Sequence, residues 1–207
     1  MKDYSQYGES KILHEIFEKI GTINKYVVEF GAWDGYHLSN ARFFIDMGWD
    51  SLLMDGLKEP KNGVFTEFIT MENINNIFEK YSVPEKFDLL SIDIDGNDYW
   101  VWKTLSYEPN VVIIEYNSNF NNDESFVLKY NPNHNFSESG GYYSASIKAL
   151  VDLAKEKGYF LCKEVSFTNL IFIKNEFKEL IEEFDYKMVN LPMHQHGGKN
   201  LEKFLKI

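Results

Sequence analysis

What most constrains this chain is a set of short apolar runs that end in carboxylates. They are Tyr26–Phe30 (YVVEF), Ser51–Met54 running into Asp55, Phe87–Ile94 (FDLLSIDI) and Val111–Glu115 (VVIIE). Continuous apolar runs of this length, without polar alternation, belong to strands buried on both faces. Between them lie segments with apolar residues three and four apart. Ser10–Ile20 carries Ile12, Leu13, Ile16, Phe17 and Ile20; Asn73–Tyr81 carries Ile74, Ile77 and Phe78; Ser146–Lys157 carries Ile147, Leu150, Val151 and Ala154. Leu38–Met47 before Gly48, and Asp98–Leu105, also read as helices. Strands alternating with helices at this spacing specify an α/β fold: a doubly wound, mostly parallel sheet in three layers, with right-handed connections.

A third strand is expected over Val64–Ile69, a final pair over Tyr159–Lys163 and Asn169–Ile173, and a last helix over Phe177–Phe184. Asn117 to Tyr143 is dense in Asn, Ser, Gly and Pro and reads as a long loop over the site. From Tyr186 to Ile207 the chain is polar and aperiodic, a tail or the contact of a homo-oligomer. At 207 residues, one domain accounts for the whole chain.

The 21 Lys and Arg against 32 Asp and Glu leave a net charge of -11, which repels nucleic acid and anionic lipid surfaces. The expected partner is a small molecule. Cys162 is the only cysteine, as suits a reducing compartment. The stretch MKDYSQYGESKILHEIF has acidic residues where a signal peptide needs apolar ones, and no run approaches a membrane span. A cytoplasmic location is therefore expected.

In such sheets ligands bind beyond the carboxyl ends of the strands, near the point where strand order reverses. The polar residues at those ends are Glu29, Gly31, Asp34 and Gly35, then Asp55, then Asp93 and Asp95, then Glu115 and Asn117. Gly31 allows a sharp turn from strand to helix, and Gly35 a close approach of backbone to ligand. Asp55 stands 20 positions after Gly35, which suits a carboxylate accepting both hydroxyls of a ribose. The stretch reads as a nucleoside cradle. A dinucleotide site is disfavoured, because Gly31-Ala32-Trp33-Asp34-Gly35 lacks the G-x-G-x-x-G spacing that seats a pyrophosphate. The local negative charge favours a ligand carrying positive charge.

GAWDG with Ser39, the Asp55 strand end, and SIDIDGNDYWVW followed by VVIIEYN resemble the FkbM-type S-adenosylmethionine-dependent methyltransferases over about Ser5 to Ile173. That family's Gly-Ala-Asn-x-Gly turn is matched at Gly31, Ala32 and Gly35, with Trp33 in place of Asn. Its Ile-Asp-x-Glu-Gly element is matched at Ile92, Asp93, Ile94 and Gly96, with Asp95 in place of Glu. The resemblance implies a Rossmann-like methyltransferase fold with S-adenosylmethionine as cofactor. Glu29, Gly31 and Gly35 would border its methionine part and Asp55 its ribose, with Ala32, Asp34 and Asp93 in the same cradle and Thr70–Asn73 as a candidate region for adenine. It also implies a bacterial O-methyltransferase acting on a small polar acceptor, a sugar or glycan precursor.

The element Asp93 to Asp98, with Glu115 and Asn117, admits three readings. In a methyl transfer the donor is already activated, so the protein aligns the reactants and removes a proton, with Asp93, Asp95, His37 or His134 as candidate bases. Alternatively Asp93 and Glu115, with Asn117, hold Mg, as acidic ligands do in metal-dependent methyltransferases of the catechol type. Thirdly, Asp93-x-Asp95 matches a phosphatase motif with Asp93 as nucleophile and Asp95 as acid, although Asn97 stands where Thr is wanted. A non-catalytic nucleotide-binding module is the remaining alternative. Asn119, His134, Tyr142 and Tyr143 are candidate acceptor contacts in the long loop, and Gly140-Gly141 a hinge or a turn. Of Trp100 and Trp102, one is expected to pack and the other to line the pocket. Tyr4–Gly8 is expected over the site, and His194 and His196 in the tail are set aside.

Overall fold

The structure, a computed structural model, describes residues 2–56, 59, 61–134, 140, 142–189 and 199–207. The apolar runs hydrogen-bond side by side as β1 (Tyr26–Phe30), β2 (Asp50–Asp55), β3 (Val64–Thr66), β4 (Lys86–Ile92), β5 (Glu108–Glu115), β7 (Tyr159–Val165) and β8 (Asn169–Lys174). Among the described residues they form one sheet in the order β3-β2-β1-β4-β5-β8-β7. The first five are parallel, while β8 runs antiparallel to both β5 and β7. Strand order reverses between β1 and β4, so the carboxyl ends of those strands open the crevice where ligands bind.

Side chains alternate across the sheet, and each face buries its own set. Val28, Leu90 and Val112 meet Phe78 of α3 (Ile74–Lys80), Trp102 of α4 (Asp98–Thr104) and Leu150 of α5 (Ile147–Glu156). Val27, Leu89 and Val111 meet Leu13 and Phe17 of α1 (Glu9–Ile20) and Phe44 of α2 (Arg42–Asp46). The mostly parallel three-layer α/β sheet expected from the sequence is the fold observed.

Three local expectations fail. The helix expected from Leu38 is only α2, because Leu38 takes φ 58 and the following residues are drawn to Glu29. The helix expected over Phe177–Phe184 is a single 3-10 turn at Asn175–Phe177; the Phe184 N–H instead donates to the Leu161 carbonyl at 2.8 Å, pulling the chain along the sheet edge. The expected polar tail ends in β9 (Phe204–Lys206), antiparallel to β6 (Phe126–Leu128) inside the expected loop. Phe204 there closes a small core with Phe120, Phe126 and Leu128. No described helix is long and apolar enough to cross a membrane. His194, His196 and Gly141 lie outside the described residues.

Candidate active site

A cavity of about 440 Å³ opens at the carboxyl ends of β1, β2 and β4. Its floor exists because β1 and β4 touch. Gly31 turns at φ 68, and a Cβ there would stand 1.6 Å from the Asp93 carbonyl oxygen, so only glycine fits. Gly35, at φ 74, is packed against Val64, Arg42 and Leu53 and closes the turn through its N–H to the Ala32 carbonyl at 2.6 Å. Ala32, Asp34 and Gly35 shape the turn from outside the lining.

The carboxylates of this first turn are largely satisfied by the protein itself. Buried Glu29 accepts from Ser39 Oγ at 2.5 Å, the Asn40 N–H at 2.7 Å and the Ala41 N–H at 3.3 Å. Burial pushes its pKa up, and those hydrogen bonds oppose the rise. Asp34 Oδ1 accepts the Tyr36 and His37 N–H groups at 2.9 and 2.7 Å, which hold its pKa below the usual range. Asp55, at the end of β2, lines the cavity and accepts the Trp33 N–H at 2.8 Å. Phe68 and Ile69 form an apolar wall beyond it. The candidate adenine region Thr70–Asn73 lies just past that wall, where Asn73 Oδ1 instead accepts the Thr70 N–H. Phe68 and Ile69 both fall inside the strand expected over Val64–Ile69; the observed strand ends at Thr66, which leaves them to line the cavity.

At the end of β4 the balance differs. Buried Asp98 ties the turn by accepting the Ile94 and Gly96 N–H groups, both at 2.9 Å; burial pushes its pKa up to about 6. Asp93 and Glu115 are held well above the usual carboxylate range, first by burial and then by repulsion, from Asp98, Asp95 and Glu29 on Asp93 and from Asp93, Asp98 and Asp95 on Glu115. Glu115 Oε2 is buried with no hydrogen-bond partner among the described residues. Oxygens of Asp93, Asp95 and Glu115 lie within 4.8 Å of one another, a grouping that suits a cation or a shared proton. Asn117, expected as a third metal ligand, is spent elsewhere: its Nδ2 donates to the Tyr143 carbonyl and its Oδ1 accepts from Asn119 N and Nδ2. Asp95, at φ 57, takes its place beside Asp93 and Glu115.

All four candidate bases, Asp93, Asp95, His37 and His134, line the cavity. His134 arrives from the long loop, with Nε2 2.8 Å from the Asp95 carbonyl oxygen, and its ring fills the space that a Cβ at Gly96 would need. Paired bonds between Asn97 and Asn131, and one from Trp100 Nε1 to the Leu128 carbonyl, fasten the loop. Neither Trp100 nor the core residue Trp102 lines the cavity. Tyr4 and Ser5 pack beside it, through a Tyr4–Asp46 hydrogen bond and a Ser5–Leu38 bridge.

The methyltransferase FkbM domain model matches residues 18–161, more than half of the chain. This chain belongs to the FkbM methyltransferase family. No curated protein matches it. Among solved structures, an S-adenosylmethionine-dependent methyltransferase from Clostridium acetobutylicum is 12% identical, the match covering 82% of this chain and 92% of that one with a TM-score of 0.46. The N-terminal domain of EvdMO1, solved with SAH and D-fucose, is 12% identical over 80% of this chain and 82% of its own, with a TM-score of 0.47. An O-methyltransferase family protein from Burkholderia thailandensis is 11% identical over 80% of this chain and 55% of its own, with a TM-score of 0.46. Within this FkbM member, the family match spans every residue that lines the cavity.

Proposed function

We propose that this chain transfers a methyl group from S-adenosylmethionine to an oxygen of a small polar acceptor, a sugar or glycan precursor, in the cytoplasm. The observation that carries the reading is the lining of the cavity. Glu29, Asp55, Glu67, Asp93 and Asp95 face it, and among the described residues no lysine or arginine does. Such a site repels phosphates and attracts a cation. The residues present fit the donor from end to end. Gly31 lays bare backbone for its amino-acid part, Asp55 suits ribose hydroxyls, and Phe68 with Ile69 offers adenine an apolar wall.

When bound, the donor supplies a methyl already activated on a sulfonium. The protein then has to align the acceptor and take its hydroxyl proton. Asp93 is the base we assign, because its neighbours raise its proton affinity and its position bridges the cavity and Glu115. Glu115 shares that proton, and His134 and Asp98 hold the turn that aims Asp93. The trio Asp93, Asp95 and Glu115 also offers the hard oxygen donors that Mg prefers, and the unpartnered Glu115 oxygen favours this second reading.

Calorimetric titration of metal-stripped protein with S-adenosylmethionine, repeated with Mg, tests the proposal. Micromolar binding is expected, followed by methyl transfer in a screen of sugar acceptors. Absence of binding would overturn the reading. Binding without transfer to any acceptor would favour a nucleotide-binding module, and arrest by a chelator would favour the metal.

A further inference from the structure

Of the four tryptophans, Trp49 and Trp102 are buried and Trp100 is half-buried, but Trp33 is 53% exposed on the cavity wall. Its backbone is in the left-handed region at φ 44, a costly place for a bulky side chain. The turn is held there by the Trp33 N–H bond to Asp55 Oδ2, and the indole and the His37 ring lie perpendicular with centroids 4.9 Å apart. Leu38 and Asp95, two more lining residues, also take positive φ. Backbone strain that gathers around one cavity points to a use for the groups it presents.

The use follows from chemistry. An indole face attracts a cation more strongly than any other side-chain ring does. Trp33 follows Gly31 by two residues, so its Cα lies within about 7 Å of the Gly31 Cα, whose turn touches the Asp93 carbonyl. Trp33 lines the same cavity as Asp55, Asp93 and Asp95, so the wall offers a positively charged ligand both carboxylates and an indole.

We infer that Trp33 makes the site discriminate by ligand charge: it favours the sulfonium form of the donor over the neutral thioether left after transfer, and so promotes exchange of spent cofactor. This rests on the cofactor reading above. The carboxylates also favour the cation, but they are the same in every Trp33 variant, so their effect cancels when affinity ratios are compared.

The test is a calorimetric comparison of S-adenosylmethionine, S-adenosylhomocysteine and sinefungin, which carries an ammonium group where the donor has its sulfonium. The proteins are the wild type, Trp33→Leu and Trp33→Phe. The preference of the wild type for the two charged ligands over the neutral one is expected to shrink about 2- to 30-fold in Trp33→Leu and by less in Trp33→Phe. Equal loss for all three ligands, leaving the ratio unchanged, would mean the indole only packs against the nucleoside, and the inference is overturned. Failure of the wild type to bind any of the three would instead overturn the cofactor reading, and this inference with it.

Discussion

The carboxyl end of β1 and the carboxyl ends of β4 and β5 are both crowded with acids, yet they handle them in opposite ways. At β1, Glu29 and Asp34 receive N–H and O–H donors from the chain that follows, so their charge is used to fold Tyr36 to Ala41. At β4 and β5, Asp93 and Glu115 face each other and Asp95, and one Glu115 oxygen has no donor among the described residues. An acid given donors is a structural tie. An acid buried mainly among other acids holds a proton it would ordinarily lose, and that is a chemical resource.

The two regions meet at Gly31, so the largest expected effect comes from substituting it. Gly31→Ala would set a Cβ 1.6 Å from the Asp93 carbonyl on a backbone at φ 68. We expect a loss of about 4 kcal/mol or more, from steric overlap and strain together. Urea denaturation would measure it. A variant of near-normal stability would show that the β1 and β4 turns can separate, and that the cavity floor is not fixed by their contact.

Next in size is Asp93→Asn. Turnover should fall about a hundred- to ten-thousandfold, as for loss of a general base, while stability holds or rises because a repelling charge is gone. An assay of initial rates beside a melting curve separates the two. Retained turnover would remove Asp93 as base and as metal ligand alike.

The same crowding gives stability a pH slope. Asp98 is raised from 3.8 to about 6, so between those values the folded protein binds more protons than the unfolded chain. Stability must therefore fall as pH rises through that window, by about 3 kcal/mol from this buried group. Asp93 and Glu115, raised in the same direction, add to the fall. Denaturation curves across that window should show the slope, and Asp93→Asn should flatten it. A flat wild-type profile would mean that neither burial nor repulsion makes these acids hold their protons.

Much of this was legible in the sequence, for physical reasons. YVVEF carries its carboxylate next to its last residue and VVIIE at its last, because a parallel sheet buried on both faces places polar groups toward its ends, and those ends form the site. Which acids are satisfied was not legible, since the donors to Glu29 come from residues ten to twelve positions on, through a turn at Leu38 that looked helical. Asn117 resembled a ligand, but its amide is fixed by Tyr143, a partner 26 residues away. The pairing of Phe126–Leu128 with Phe204–Lys206 joins strands too short to show a period.

The smallest effects test where the boundary between tie and resource runs within the first turn itself. Asp55→Ala should weaken S-adenosylmethionine binding about ten- to a hundredfold, because it removes a carboxylate facing the cavity. Asp34→Ala should leave that affinity unchanged, since its Oδ1 serves the Tyr36 and His37 N–H groups and it does not line the cavity. Its cost is a slight fall in melting temperature. Because those donors hold the Asp34 pKa low, its contribution is present above the ordinary aspartate range and disappears as pH falls. The melting temperatures of wild type and Asp34→Ala should therefore converge in acid. If Asp34→Ala weakened the cofactor as much as Asp55→Ala does, the first turn would bind ligand through its ties, and the division between the two regions would fail.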